Sequence, residues 1–286
     1  MANSVANPLL RRAWSVLGDA FGHFNQDDGW AMASHVALSA LMAVFPFLIF
    51  VAALAGFIGN AALAQRAADL LFSAWPREVA TPIAAEVSRV LTEPRGGLLT
   101  ISILIAIFLA SNGVEAVRTA LNRAYRVVDD RSFLWRRTQS VFFVLIGALA
   151  SLALAFLGVL GPLIFTKAAQ YLPGLQPFAT RFALAGFVVT GVILVVVLVA
   201  AHIWLPAGRP PALKLWPGIV TTLALWLIGA YFFAVYLQNF SNYVSTYAGL
   251  AGAVTAIFFL YLIAVAMIFG AEFNAALARA RVARTA

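Results

Sequence analysis

Cysteine is absent from all 286 residues, so disulfides and thiol chemistry are excluded and the redox compartment is unreadable. Charge is scarce: Asp, Glu, Lys and Arg together make up 10% of the chain, against about 25% in a soluble domain. Acid is scarcer than base, with 11 Asp and Glu against 19 Lys and Arg. The histidines, His23, His35 and His202, are scattered, and no pair has metal-ligand spacing. No Gly-rich phosphate loop, nucleophile elbow or pair of catalytic carboxylates stands in the chain. The sequence therefore points to no enzyme class and no cofactor. What it has in abundance is apolar surface, with 63% hydrophobic residues and a mean hydropathy of +0.93. The solvent for most of this chain is lipid.

A membrane-spanning helix needs roughly 20 apolar residues. Six segments meet that need: residues 35–58, 97–111, 141–165, 182–203, 219–237 and 248–269. The second is short, but its apolar pattern runs on as a helix toward Tyr125. Six spans leave little chain for a separate soluble domain. The expectation is an all-α, polytopic membrane protein folded as one domain over 1–286. Residues 1–29 lack the apolar core of a secretory signal peptide, so the first span serves as the insertion signal.

A net charge of +8 and a pI of about 10.4 would suggest nucleic acid in a soluble protein. Here the positive-inside rule is the better account, and no nucleic-acid partner is expected. On the six-span layout, alternate sides of the membrane hold 13 and 6 basic residues. The richer side carries both chain ends, which predicts cytoplasmic termini in a bacterial inner membrane. The segment between spans two and three is richest, with Arg118, Arg123, Arg126, Arg131, Arg136 and Arg137.

Leu9, Leu10, Ala13, Trp14, Leu17, Phe21 and Phe24 recur at helical spacing beside Arg11 and Arg12. They predict an amphipathic helix, either lying in the cytoplasmic interface or packed on the bundle's end. Asp27-Asp28-Gly29 ends it and offers an N-cap to the next helix. Residues 60–95 predict a helical periplasmic loop, bracketed by Pro76, Pro82 and Pro94. Pro46 in the first span and Pro162 in the third remove backbone hydrogen bonds and are candidate hinges. Gly249, Gly252 and Ala253 would let a neighbour approach the last span. Asp129-Asp130 is expected to cap the third helix.

The main chemical candidate lies at the cytoplasmic end of the second span. Ser111, Glu115, Arg118, Asn122 and Arg126 follow at steps of 4, 3, 4 and 4, which places them on one helix face. Charge at the bilayer centre costs roughly 2.5–3.5 kcal/mol on insertion scales. The stripe must therefore meet cytoplasmic water or line a polar cavity. A cavity of Arg and Asn would suit an anionic headgroup or solute. Glu272, directly after the last span, matches the stripe in depth, and an ion pair with an Arg of the second helix, Arg118 first, is the expected neutralisation.

Several stretches of this chain resemble the YihY/BrkB family of bacterial inner-membrane proteins. They are His35 to Pro46, Ser111 to Tyr125, Trp204-Leu205-Pro206 followed by Trp216-Pro217-Gly218, and Tyr247 to Gly252 running on to Gly270-Ala271-Glu272-Phe273-Asn274. In order and spacing they cover the chain from about Arg11 to Leu277. The resemblance implies a six-helix inner-membrane protein of the kind often labelled a virulence or serum-resistance factor. Some members were once labelled a tRNA-processing ribonuclease. The chain departs from the family's common residues at Leu38, Ser39, Ala43 and Phe259. The resemblance lends no catalytic residues.

The expected function is that of a transporter or flippase-like protein for an anionic amphipathic substrate, with membrane lipids as partners. The rival is a non-transporting scaffold or envelope-integrity protein whose polar residues only pair and cap. A membrane-embedded hydrolase is third.

Overall fold

The computed structural model describes residues 8–58, 96–155, 161–172, 174, 178–208, 214–239 and 248–283. Among the described residues there are eight helices and no strand. They are α1 (Pro8–Gln26), α2 (Gly29–Ile58), α3 (Gly96–Ala124), α4 (Phe133–Ala155), α5 (Gly161–Tyr171), α6 (Ala179–Trp204), α7 (Trp216–Asn239) and α8 (Ala248–Val282).

Five helices contain a stretch long and apolar enough to cross a membrane: Ile103–Ala124, Phe133–Leu154, Leu184–Trp204, Trp216–Tyr236 and Val254–Val282. α2, expected as the first span, is a single helix of 30 residues with Pro46 inside it. Its described apolar stretch, Gly29–Val44, is shorter than a span. The helices overrun the expected spans because their ends continue as polar or amphipathic turns. α3 runs unbroken to Ala124, and α8 continues past Phe269 to Val282. The expected third span falls on two described helices, with 156–160 outside the described residues. α4 starts at Phe133 and is described to Ala155, and Pro162 falls in the first turn of the separate α5. A proline there sacrifices no helical hydrogen bond, because the first N–H groups of a helix have no partner within it. Pro46, by contrast, deprives the Met42 carbonyl of its helical donor. The loop expected over 60–95 and the polar aromatic stretch 240–247 lie outside the described residues.

α3 packs along α2, and α8 packs against α2, α7 and α1. The core holds small residues wherever helices touch closely. Ala33 and Val36 of α2, Ala116, Ala120 and Leu121 of α3, and Ala264, Ile268 and Ala271 of α8 form one buried cluster. Ala106 and Ala110 of α3 meet Val144 and Ala148 of α4 in a second, spaced so that one face of each helix is buried. The closest backbone approach joins α7 to α8. A Cβ on Gly270 would strike Thr222 Oγ1 and the Gly218 carbonyl, and a Cβ on Gly218 would strike the Gly270 carbonyl. Gly249, Gly252 and Ala253 begin α8, but their side-chain surroundings are not described.

α1 packs on the end of the bundle, one of the two arrangements its pattern allowed. Val16, Ala20 and Phe24 are buried, the first two against Ala276 of α8. Trp14 and Phe21 face outward, 73% and 52% exposed. Arg279 of α8 donates to Asp19 Oδ2 at 2.8 and 3.0 Å and ties the helix down.

Candidate functional site

The stripe residues come to one end of the bundle, but they point to different partners. Ser111 is fully buried, and its hydroxyl donates to the Phe108 carbonyl of its own helix at 2.6 Å. Arg118 is 1% exposed. Its guanidinium pairs with Glu115 one turn back and also donates to Ser140 Oγ (2.7 Å) and the Arg136 carbonyl (2.8 Å) of α4. Ser140 in turn donates to Glu115 at 3.1 Å. These bonds satisfy the terminal nitrogens of the buried cation, leave its Nε without a partner, and lock α3 to α4.

Asn122 bridges two segments. Its amide nitrogen donates to Asp129 at 3.1 Å, and its oxygen accepts from the Ala207 N–H at 2.9 Å. Asp129 accepts from Arg131 Nε at 2.7 Å and from a terminal Arg131 nitrogen at 2.6 Å. Those two bonds hold the Asp129 carboxyl down at about 2, against an ordinary 3.8, although burial pushes the other way. Arg131 also reaches the Leu205 carbonyl at 2.7 Å, and Gln139 reaches that of Trp204. The orphan carbonyls at the end of α6 thus receive a cation and an amide, the favourable chemistry for a helix C-terminus.

Arg126 departs from the expected helical face. α3 ends at Ala124, and Arg126 has φ of 54°, in the left-handed region. Its N–H bonds the Arg123 carbonyl, and the Val127 N–H bonds that of Asn122. This is a Schellman stop, with Arg126 where glycine usually sits. The turn swings the arginine out of the helix toward Asp27, with which it pairs, and toward Glu272 Oε2 at 3.5 Å. Glu272 is 1% exposed, and its other oxygen is buried with no partner.

The expected Arg118–Glu272 pair is therefore corrected: Arg118 belongs to Glu115, and Glu272 belongs to Arg126. Matching depth gave the level but not the direction, since Arg118 faces α4 while Glu272 looks toward the end of α3 and the α1–α2 turn. That turn supplies more than an N-cap. Asp28, also left-handed with φ of 52°, aims its carboxylate at Arg123 (2.6 Å). The expected Asp129 cap likewise serves mainly as the partner of Arg131 and Asn122.

Asn274 went unnoticed as a chemical group. It is buried, its oxygen accepting from the Gly218 N–H at 2.7 Å and its nitrogen donating to the Leu215 carbonyl at 3.0 Å. It thereby caps the start of α7 from α8. The signal available was its place in a polar Glu-x-Asn pattern after an apolar span. His202 is also buried, with Nδ1 at 2.9 Å from the Leu198 carbonyl and Nε2 buried without a partner. Among the described residues no group of three or more His, Cys, Asp or Glu stands close enough to hold a metal.

One turn deeper into the bundle the chemistry changes completely. A cleft of about 270 Å³ opens between α2, α3 and α4. Ala43 and Phe47, Gly113 and Val114, and Phe143 and Gly147 line it, and every lining residue is apolar or glycine. The polar clasp and the apolar cleft are thus stacked along α3, with Val117 on the cleft and Arg118 in the clasp.

Comparison with known proteins agrees with this architecture. The chain is 27% identical over 263 residues to the ribonuclease-like protein YfkH of Bacillus subtilis, covering 92% of this chain and 95% of that protein. It is 25% identical over 282 residues to a UPF0761 membrane protein of Alteromonas mediterranea, covering 92% and 89%. No solved structure matches. The family model for the virulence factor BrkB matches residues 20–286, which takes in the clasp, the cleft and every helix from α2 to α8. An all-helical membrane protein with this arrangement and this match belongs to the BrkB family.

Proposed function

We propose that this protein handles an anionic, amphipathic, lipid-like substrate in a bacterial inner membrane, as a transporter or flippase-like protein. It would cross the membrane six times, α2 included, with both termini in the cytoplasm. The observation that carries the reading is the apolar cleft of about 270 Å³ directly beyond a clasp of arginine–carboxylate pairs. The volume approaches the lower bound of small-molecule sites, roughly 300 Å³. Its lining suits an acyl chain better than a polar solute. The clasp closes the cytoplasmic end. In an alternate state, parting of these pairs would free Ser111, Glu115, Arg118, Asn122, Arg126 and Glu272 to line a polar path, with Pro46 as a hinge in α2.

A second reading is supported by a separate observation. Glu115, Arg118, Asn122 and Arg126 each bond to other elements of the bundle, and Ser111 bonds to its own helix. A fixed clasp of that kind would suit a non-transporting scaffold. The ribonuclease-like name of the B. subtilis relative finds no supporting ligand set among the described residues, and we propose no enzymatic role.

The test is reconstitution into liposomes carrying a fluorescent phosphatidylglycerol, with a membrane-impermeant quencher added outside. The proposal expects inner-leaflet label to become quenchable at a rate set by protein density. Inner-leaflet label that stays protected for anionic and zwitterionic lipids alike would leave the scaffold reading in possession.

A further inference from the structure

We propose that Arg136 and Arg137, with Asn112, hold the phosphate of an anionic phospholipid against the outer faces of α3 and α4, in the leaflet that contains the start of α4. The site is separate from the cleft and does not depend on transport. On α3 the cleft takes Ala110, Gly113, Val114 and Val117, whereas Phe108, Asn112 and Thr119 occupy the exposed side of the helix.

Charge is the first argument. Five arginines of this end, Arg118, Arg123, Arg126, Arg131 and Arg279, each pair with a carboxylate. Arg136 and Arg137 form no such pair among the described residues. The acid nearest to Arg137 is Glu115, which attracts it electrostatically but is bonded to Arg118 and Ser140. Arg118 and Arg137 therefore draw on one carboxylate and Arg136 has none, so two positive charges lack a counter-charge of their own within a candidate membrane span. Uncompensated cations at that depth are expensive unless a headgroup or water comes to them.

Direction is the second argument. Arg137 lies one turn into α4. Arginines near a span's end ordinarily extend outward to the interface. Here the guanidinium lies over the Phe108 ring, 3.6 Å from its centre, and donates to Asn112 Oδ1 at 2.9 Å. The register is set by Ser140 opposite Glu115. Asn112 therefore lies about six residues of helical rise, roughly 9 Å, deeper than Arg137, so the side chain turns toward the bilayer interior. Ring and amide fix the guanidinium plane and leave its remaining donors for a ligand, a geometry suited to phosphate. At the start of α4, Phe133, Leu134 and Trp135 are exposed, as residues at a membrane interface would be.

The experiment counts phospholipids retained by the purified chain in native mass spectrometry, offering phosphatidylglycerol and phosphatidylcholine in equal amounts. The proposal expects preferential retention of phosphatidylglycerol, weakened roughly fivefold per arginine in R136Q and R137Q. Arg123→Gln, which removes an equal charge from a paired surface site, should change retention little. Equal retention of the two lipids by the unmodified chain would overturn the site, as would an equal loss in Arg123→Gln. Displacement of phosphatidylglycerol by inorganic phosphate alone would make it a free-anion site and also overturn the proposal. If R137Q fails to fold, the unmodified arginines are tested through Thr138→Cys, exposed on the next residue and labelled with a fluorophore. Brominated phosphatidylglycerol should quench it more than brominated phosphatidylcholine, and equal quenching would refute the site.

Discussion

The two ends of this bundle are built on different principles. At the end holding the start of α4 and the last turns of α3, α6 and α8, side chains bond across helices at specific angles. Arg118 joins α3 to α4, Asn122 and Arg131 join the α3–α4 segment to the end of α6, Arg126 joins α3 to the α1–α2 turn and α8, and Asn274 joins α8 to α7. Among the described residues the α6 span has few protein neighbours: 6% of it is buried, against 39% for the α3 span. Its first buried described side chain is Leu198, followed by His202 and Leu205, all near the clasp. Lipid tails are as apolar as leucine, so burial alone gives little drive for helices to associate in a bilayer. What fixes their relative position is close packing and directional bonds; among the described residues the directional bonds gather at one end, while α2, α3 and α4 also pack beyond it through Phe50, Ala106, Ala110, Val144 and Ala148. α6 is pinned at that end and has few described neighbours beyond it.

The largest effect should come from Arg118. Breaking a buried ion pair costs roughly 3–5 kcal/mol, and Glu115, about a third exposed, can recover some hydration, which favours the lower figure. Arg118→Gln should lower stability in detergent by about 3 kcal/mol. Combined with Glu115→Gln it should cost well under the sum, whereas combined with Glu272→Gln the losses should add within about 0.5 kcal/mol. Coupling of Arg118 to Glu272 would show that the clasp is wired differently. Gly270→Ala comes next, because its methyl would meet backbone at Gly218 as well as Thr222. A loss of roughly 2–3 kcal/mol is expected from a thermal melt.

Asp129 makes the clasp end sensitive to acid. Its folded carboxyl titrates at about 2 against an ordinary 3.8. The stabilisation is therefore complete above about pH 4 and is lost as pH falls through 2, at most roughly 2 kcal/mol. Asp129→Asn should flatten that part of a stability–pH curve, and an unchanged slope would remove Asp129 from the clasp. The smallest effect separates strain from bonding at Arg126. A non-glycine residue at φ of 54° costs about 1 kcal/mol, which glycine would regain. Arg126→Gly and Arg126→Gln both lose the bonds to Asp27 and Glu272, so the glycine variant should be the more stable by about that amount.

Much of the clasp was legible because helical spacing is local. Ser111, Glu115, Arg118 and Asn122 do share the side of α3 that their steps of 4, 3 and 4 dictate. Arg126 broke the pattern because helix ends are usually announced by glycine, and here an arginine takes the left-handed position. The partner of Glu272 was misjudged because hydropathy reports depth and says nothing of azimuth. Gly218 and Gly270 were harder still, since close approach of two backbones depends on which helices neighbour each other. Gly249 and Gly252, chosen for their small-residue spacing, begin a helix whose described close contact lies farther along. That the expected third span falls on two described helices was foreshadowed by Gly161-Pro162, which reads equally as a kink inside a helix or the start of another.

The contrast between a pinned end and a free one is tested most directly by pulsed-EPR distances between α4 and α6, since the chain has no native cysteine to remove. One spin-label pair, at Thr138→Cys and Ala207→Cys, reports the clasp, and the other, at Leu149→Cys and Leu184→Cys, reports the far half. The account predicts a narrow distribution at the clasp that is unchanged between detergent and bilayer, and a broad or shifting one at the far pair. Equally narrow distributions at both ends, or a broad one at the clasp, would contradict it.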